Sequence, residues 1–94
     1  MGISVDLSGE IEDGRRRRLE ELTSEREPDW EVRYQPGSFG CHELLDRTCL
    51  LADQIEKTVL THPSCIRDPD WYALASRAVE SLRELYQRVG AVHL

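Results

Sequence analysis

The chain of 94 residues has few of the residues that identify a secreted, metal-binding or membrane protein. Its three cysteines are odd in number and lack Cys-x-x-Cys spacing, so we expect free thiols rather than a disulfide framework. No apolar run approaches the length that crosses a membrane, and no signal-peptide pattern opens the sequence. The sequence therefore predicts a cytoplasmic protein.

An excess of positive charge is also missing. The net charge is −6 and the isoelectric point is near 5.0, which disfavours binding to nucleic acid polymers. No glycine-rich phosphate loop is present, and the basic run Arg15–Arg18 is followed by acidic residues, which is typical of a solvated charged surface. We expect neither a cofactor nor a membrane partner. A small anionic ligand held by a few local arginines stays compatible with this composition.

Two amphipathic helices form the clearest pattern in the chain. Apolar residues at helical spacing predict helices over about 41–62 and 69–89. The second begins with Asp68 as N-cap and Pro69 at the first helical position, and Gly90 suits its C-terminal end. Pro63 ends the first helix, and the short linker predicts an antiparallel two-helix hairpin.

The apolar stripes of both helices are broader than one partner helix can cover. The residues that widen them include leucines at positions 44, 45, 50, 51 and 85. A hairpin alone buries too little apolar area to offset its chain entropy. We therefore expect a mainly α protein assembled as a homo-oligomer, with subunit count open.

The first forty residues contain weaker signals. Residues 1–29 are predicted to be a charged segment, partly flexible or with a short helix after Gly14; residues 3–7 alternate as a short strand would. Residues 30–94 form the second predicted region, an aromatic arm plus the hairpin. In the arm, Trp30–Tyr34 alternates like a strand, Pro36-Gly37 predicts a turn, and Ser38 or Gly40 is the candidate helix cap.

Catalytic and metal-binding patterns are incomplete. His42-Glu43 lacks the second histidine of a zinc-protease motif, because position 46 is Asp46. His42, Asp46 and Cys49 share one helix face, but Cys49 belongs to the apolar stripe. Cys41 lies beside a helix N-terminus without a base placed for it. We therefore expect no enzymatic activity, no catalytic residue and no metal ligand.

The aromatic residues and arginines near the first helix have two interpretations, a ligand-binding site and a solvated surface with ion pairs. Tyr34 and Phe39 precede the first helix, Arg47 lies on it and Arg77 lies on the second helix. Aromatic rings that stack on a base and guanidinium groups that fork to a phosphate are what nucleotide capture needs. The simpler interpretation of Arg47 is an ion pair with Glu43, four residues earlier.

The aromatic-x-Tyr-x-Pro arm of residues 30–40, followed by two helices divided at His62-Pro63, resembles the helical-hairpin domain of viral anti-defence sponges. These anti-CBASS and Thoeris anti-defence proteins of phages bind cyclic nucleotide or cyclic ADP-ribose-type signals. The resemblance covers about residues 30–90 and implies a non-enzymatic homo-oligomer, often a hexamer, with ligand pockets between protomers. The matching residues are Tyr34, Pro36, His42 and Arg47, with Arg77 a weaker match.

Three functions therefore stay open. The first is sequestration of a cyclic nucleotide signal, with Tyr34 and Phe39 stacking on a base, Arg47 and Arg77 holding phosphate, and His42 donating or accepting a hydrogen bond. The alternative is a helical oligomerisation or protein-interaction module without a small ligand. The third is an enzyme that uses Cys41 or a metal at His42.

Overall fold

The structure is a computed structural model that describes the backbone of residues 3–94 and the side chains of residues 9–94. Its five helices are α1 (Ile3–Glu25), α2 (Trp30–Tyr34), α3 (Phe39–Thr58), α4 (Pro63–Ile66) and α5 (Pro69–His93). The predicted mainly α class is confirmed. The possible short strands are wrong, because no strand occurs within the described backbone.

The chain divides into two compact units, Met1–Val32 and Arg33–Leu94. The first unit contains α1, a single helix of 23 residues that runs through Gly9 and Gly14. The prediction of a strand at residues 3–7 is therefore wrong. The helix predicted after Gly14 is present, but it begins earlier, at Ile3. The predictions for residues 1 and 2 lie outside the described residues.

Ion pairs between residues one helical turn apart stabilise α1 as a continuous helix, although glycine disfavours a helix interior. Glu12 accepts hydrogen bonds from Arg15 and Arg16, at 2.8 Å from Arg15 Nε and 3.1 Å from Arg16 Nε. The hydrogen bond from Arg15 is the main reason that the pKa of Glu12 falls to about 2. Two of the four consecutive arginines are thus paired within their own helix.

α2 corrects the prediction of an extended arm. Trp30–Tyr34 forms one helical turn, with Glu31 in its first turn and Arg33 in its last. Those charges suit the helix dipole. Five alternating residues do not define a strand, since a strand also needs a neighbour to receive its hydrogen bonds. The described residues offer no such neighbour, and local hydrogen bonds satisfy the backbone instead.

A turn and a cap start α3 as the sequence predicts. The Ser38 amide donates to the Gln35 carbonyl at 3.1 Å, and Gly37 has φ of 90°. With Pro36 before it, this is a type II turn, whose third position favours glycine. The Ser38 side chain then accepts from the Cys41 amide at 3.1 Å, so Ser38 rather than Gly40 is the N-cap.

The ends of α3 and α5 differ from the predicted bounds. α3 ends at Thr58, before the predicted end at residue 62, and His62 is the N-cap of α4, accepting from the Ser64 amide. Asp68 caps α5 as predicted, accepting from the Asp70 and Trp71 amides. α5 continues past Gly90, whose carbonyl accepts from the amide of Leu94.

α3 packs against α5 in opposite directions. His42 near the start of α3 contacts His93 at the end of α5, whereas Arg83 bonds Asp53 and Glu56 further along α3. The apolar core of the described chain is small and consists of Cys41, Leu45, Ala52, Cys65 and Val79. No large side chain among the described residues is fully buried.

Candidate functional site

Two of the five predicted ligand-binding residues, Tyr34 and Phe39, lie together at the N-terminal end of α3. A shallow depression of about 400 Å³ there is lined by Arg33, Tyr34, Ser38, Phe39, Gly40 and Glu43. His42 and Arg47 lie on α3 beside it. The depression is open to solvent, so in a single chain it offers a surface rather than an enclosed pocket.

Gly40 lets the Tyr34 ring lie against the first turn of α3. A Cβ atom at Gly40 would lie 2.6 Å from the Arg33 carbonyl oxygen and inside the contact distance of the Tyr34 ring. Only glycine leaves this space. The sequence prediction of a cap at Gly40 is wrong, and the physical role of this residue is close packing.

Phe39 is the most accessible ring at this end of the structure. It is the first residue of α3 and is 85% exposed. Arg47 lies one turn beyond Glu43, and its Nη2 is 3.7 Å from Glu43 Oε2. The ion pair predicted as the simpler interpretation of Arg47 is therefore present, and Glu43 partly neutralises the positive charge that a phosphate would meet.

His42 belongs to a chain of polar contacts that the sequence did not indicate. Its Nδ1 lies 3.2 Å from His93 Nε2, and the rings are 5.4 Å apart with an interplanar angle of 38°. The Gly37 amide donates to His93 Nδ1 at 2.7 Å. On the other side, His42 Nε2 lies 3.7 Å from Asp46 Oδ1. The sequence places Asp46 on the same helix face as His42, but His93 is 51 residues from His42 and 56 from Gly37, so no local pattern could have found the contacts of His93.

Arg77 is not brought together with the other predicted residues. It lies on α5 sixteen residues before His93, which is about 24 Å along the helix axis. Arg77 can therefore join Tyr34, Phe39, His42 and Arg47 only if it comes from another copy of the chain.

The groups considered for catalysis are not assembled into a reactive site. Cys41 is buried, with 8% of its surface exposed. His42 lies close to Asp46, but Cys49 does not take part in this contact. Residues 9–94 contain no cluster of three potential metal ligands. What this end offers chemically is an exposed ring, a guanidinium and two imidazoles.

A second candidate surface lies along one side of α3 and α5. We call it the leucine flank, and it consists of Leu44, Leu51, Leu74 and Leu85. Leu44 and Leu51 are seven residues apart on α3, and Leu74 and Leu85 are eleven apart on α5, so each pair shares a helix face.

The two leucine faces lie on the same side of the paired helices. Asp53 is two residues beyond Leu51, and Arg83 is two residues before Leu85. Two residues turn a helix by about 200°, so each leucine lies opposite its charged neighbour. Because Arg83 and Asp53 meet on one side, at 3.2 Å, Leu51 and Leu85 lie together on the other.

All four leucines of the flank are exposed, from 40% at Leu85 to 64% at Leu74. Trp71, on the same side of α5, is 55% exposed. Exposed apolar side chains that share one side of a helix pair are typical of contact sites in proteins. The apolar stripes that the sequence predicts on the two helices are therefore only partly covered, and their outer leucines are exposed.

Comparison with known proteins identifies no relative. The chain matches no protein-family model, no curated protein and no solved structure. None of the helices in the described part of the chain combines the length and apolar character needed to cross a membrane. The functional argument therefore depends on the geometry of the two surfaces.

Proposed function

We propose that the protein is a helical self-assembly module whose leucine flank packs against the flank of a second copy. The single observation that carries this proposal is the contrast between a core of five small or medium apolar residues and a flank of four exposed leucines. A chain with so little buried apolar area gains most of its stability from further burial.

A second copy is the occupant that suits this surface best. The flank runs along both helices and is apolar, whereas the opposite side carries the Arg83 ion pairs with Asp53 and Glu56. In a two-fold dimer the same patch serves both partners, so one apolar stripe meets an identical one. The antiparallel α3/α5 hairpin is then the unit of assembly, and larger closed rings stay possible.

Charge placed on the flank tests this proposal. The double substitution Leu51→Glu plus Leu74→Glu puts two carboxylates on the apolar surface and is expected to give a monomer by light scattering after gel filtration. Leu50→Glu is the matched control, because Leu50 is 63% exposed but lies about 200° from the buried Ala52 and so points away from α5. Equal loss of assembly in both proteins would contradict the proposal.

The second candidate function is sequestration of a cyclic nucleotide-type signal without turnover, as in the anti-defence sponges of phages. The observation that favours it is that Tyr34 and the exposed Phe39 line one depression, and that Arg47 is paired with Glu43, which lines the same depression. His42 lies next to Glu43 on α3. The proposed site adds Arg77 from a neighbouring copy, since the assembly would bring distant residues together. This function needs the self-assembly proposed above.

Calorimetry with cyclic dinucleotides, cyclic trinucleotides and cyclic ADP-ribose isomers tests the second candidate. Binding in the micromolar range or tighter is expected, with the ligand recovered intact. Phe39→Ala and Arg47→Ala are expected to weaken binding, and Arg88→Ala, whose guanidinium is paired with Glu84 on α5, is the control. Absence of heat with every ligand, from a protein that still assembles, would leave only the first function.

A further inference from the structure

The contacts among Gly37, His93, His42 and Asp46 define one direction of hydrogen bonding. A backbone amide can only donate, so His93 Nδ1, 2.7 Å from the Gly37 nitrogen, accepts and carries no proton. Neutral His93 therefore has its proton on Nε2, which faces His42 Nδ1 at 3.2 Å. Neutral His42, accepting at Nδ1, in turn carries its proton on Nε2, and Asp46 Oδ1 lies 3.7 Å from that atom, which is beyond hydrogen-bond distance.

We propose that this chain of contacts, here called the histidine latch, is a proton-sensitive device that holds the end of α5 to the turn before α3. Two of the links join different segments: His93 near the end of α5 contacts Gly37 in the turn at residues 35–38 and His42 on α3. The third, between His42 and Asp46, lies within α3. When the rings are neutral, all donors face acceptors. The latch goes beyond self-assembly, because none of its members lies on the leucine flank.

Protonation reverses two of the contacts. A proton on His93 Nδ1 would place an N–H against the Gly37 N–H, and a proton on His42 Nδ1 would oppose the His93 Nε2–H. Two cationic rings 5.4 Å apart would also repel each other. Protonation of His93 therefore opposes the closed form, so the latch is expected to hold while the rings are neutral and to open as they take up protons.

The charged groups around the latch do not cancel the effect of histidine protonation on the hydrogen bond from Gly37. Asp46 faces His42 and favours a positive charge on that ring, but it does not face His93. Glu43, also on α3, is paired with Arg47, and Arg88 on α5 is paired with Glu84. The turn contributes only its backbone amide. His93 is consequently the residue whose protonation breaks the link to Gly37.

A metal ion is the competing occupant of the same atoms. The two nitrogens, 3.2 Å apart, are at a separation that two ligands of a tetrahedral zinc ion would have. Binding through His93 Nε2 would move its proton to Nδ1, against the Gly37 amide. The hydrogen bond from Gly37 therefore favours the latch over a metal site.

Hydrogen exchange of the Gly37 amide in the full chain tests the latch. Its protection factor, corrected for intrinsic exchange, is expected to be constant above pH 7.5. It is expected to fall between pH 7.5 and pH 5.5, with a limiting slope of about tenfold per pH unit for the uptake of one proton. His93→Gln keeps one acceptor and one donor without a titrating ring, so its Gly37 protection is expected to be independent of pH. His62→Asn is the control, because His62 lies outside the latch and caps α4; it should keep the natural pH response.

Two results would overturn the latch. One is a Gly37 protection factor that does not change between pH 7.5 and 5.5 in the natural chain. The other is nitrogen NMR showing His93 protonated on Nδ1 at pH 7.5, or zinc titrated alone binding there with loss of the Gly37 hydrogen bond.

Discussion

Truncation of Leu74 provides a quantitative test of the leucine flank. The side chain is 64% exposed in the single chain. Full burial of a leucine contributes about 1.5–3 kcal/mol, so the part still available for assembly is worth about 1–2 kcal/mol. In a two-fold dimer the residue appears twice, so Leu74→Ala is expected to cost the dimer about 2–4 kcal/mol.

That free energy is large enough to measure as an association constant. At about 1.4 kcal/mol per factor of ten, the dissociation constant of the dimer should rise by roughly 30-fold to several hundred-fold. Sedimentation equilibrium at several loading concentrations measures this constant for the natural chain and for the variant. Circular dichroism at the same concentrations shows whether the variant keeps its helices.

Leu50→Ala is the matched control for this prediction. Leu50 is the same residue type on α3 and is 63% exposed, but it points away from α5 and from the flank. Its truncation is expected to change the dissociation constant by less than threefold. If Leu50→Ala weakened assembly as much as Leu74→Ala, or if Leu74→Ala had no effect, the flank would not be the interface.

Three further predictions concern the single chain. Leu45→Ala, at a residue that is 3% exposed, should lower the free energy of unfolding by about 2–5 kcal/mol in urea titrations, and a loss below 1 kcal/mol would contradict its place in the core. Gly40→Ala should cost about 1–3 kcal/mol, because the new methyl group meets the Tyr34 ring. Gly14→Ala should cost nothing or stabilise α1, because its new methyl group meets only Arg17 Nη2, at an ordinary contact distance of 3.9 Å. Glu12 stabilises α1 in its charged form, and its pKa is lowered to about 2, so its contribution is complete above pH 4.5 and lost as the pH falls toward 2. The loss of circular dichroism signal at 222 nm over that range should be smaller in Glu12→Gln, and equal losses would contradict the ion pair.

The parts of the fold that the sequence predicted are those with local causes. Asp68-Pro69 caps α5, Pro36-Gly37 forms the turn, and Ser38 caps α3. Each depends on hydrogen bonds to atoms two or three residues away, so the residue type and its spacing are sufficient.

The parts that the sequence did not predict depend on distant contacts or on competition between local signals. Gly90 suggested the end of α5, but the helix continues to His93, which contacts Gly37 and His42 more than fifty residues earlier. In Trp30–Tyr34 the alternating pattern suggested a strand, but a strand needs a partner and a helical turn does not.

The candidate site was predicted in part for the same reason. Tyr34 and Phe39, which are near one another in sequence, lie together at the N-terminal end of α3. Arg77 lies on α5 about 24 Å from His93 along the helix axis, and the sequence of α5 alone does not show which end of that helix lies beside the start of α3. Whether a neighbouring copy supplies it depends on the assembly.

Sedimentation velocity of the unmodified chain, from about 1 to 300 μM, tests self-assembly most directly. We expect a sedimentation coefficient that rises with concentration or corresponds throughout to a dimer or larger closed oligomer. A stable, folded monomer of 10.8 kDa across the whole range would contradict the account.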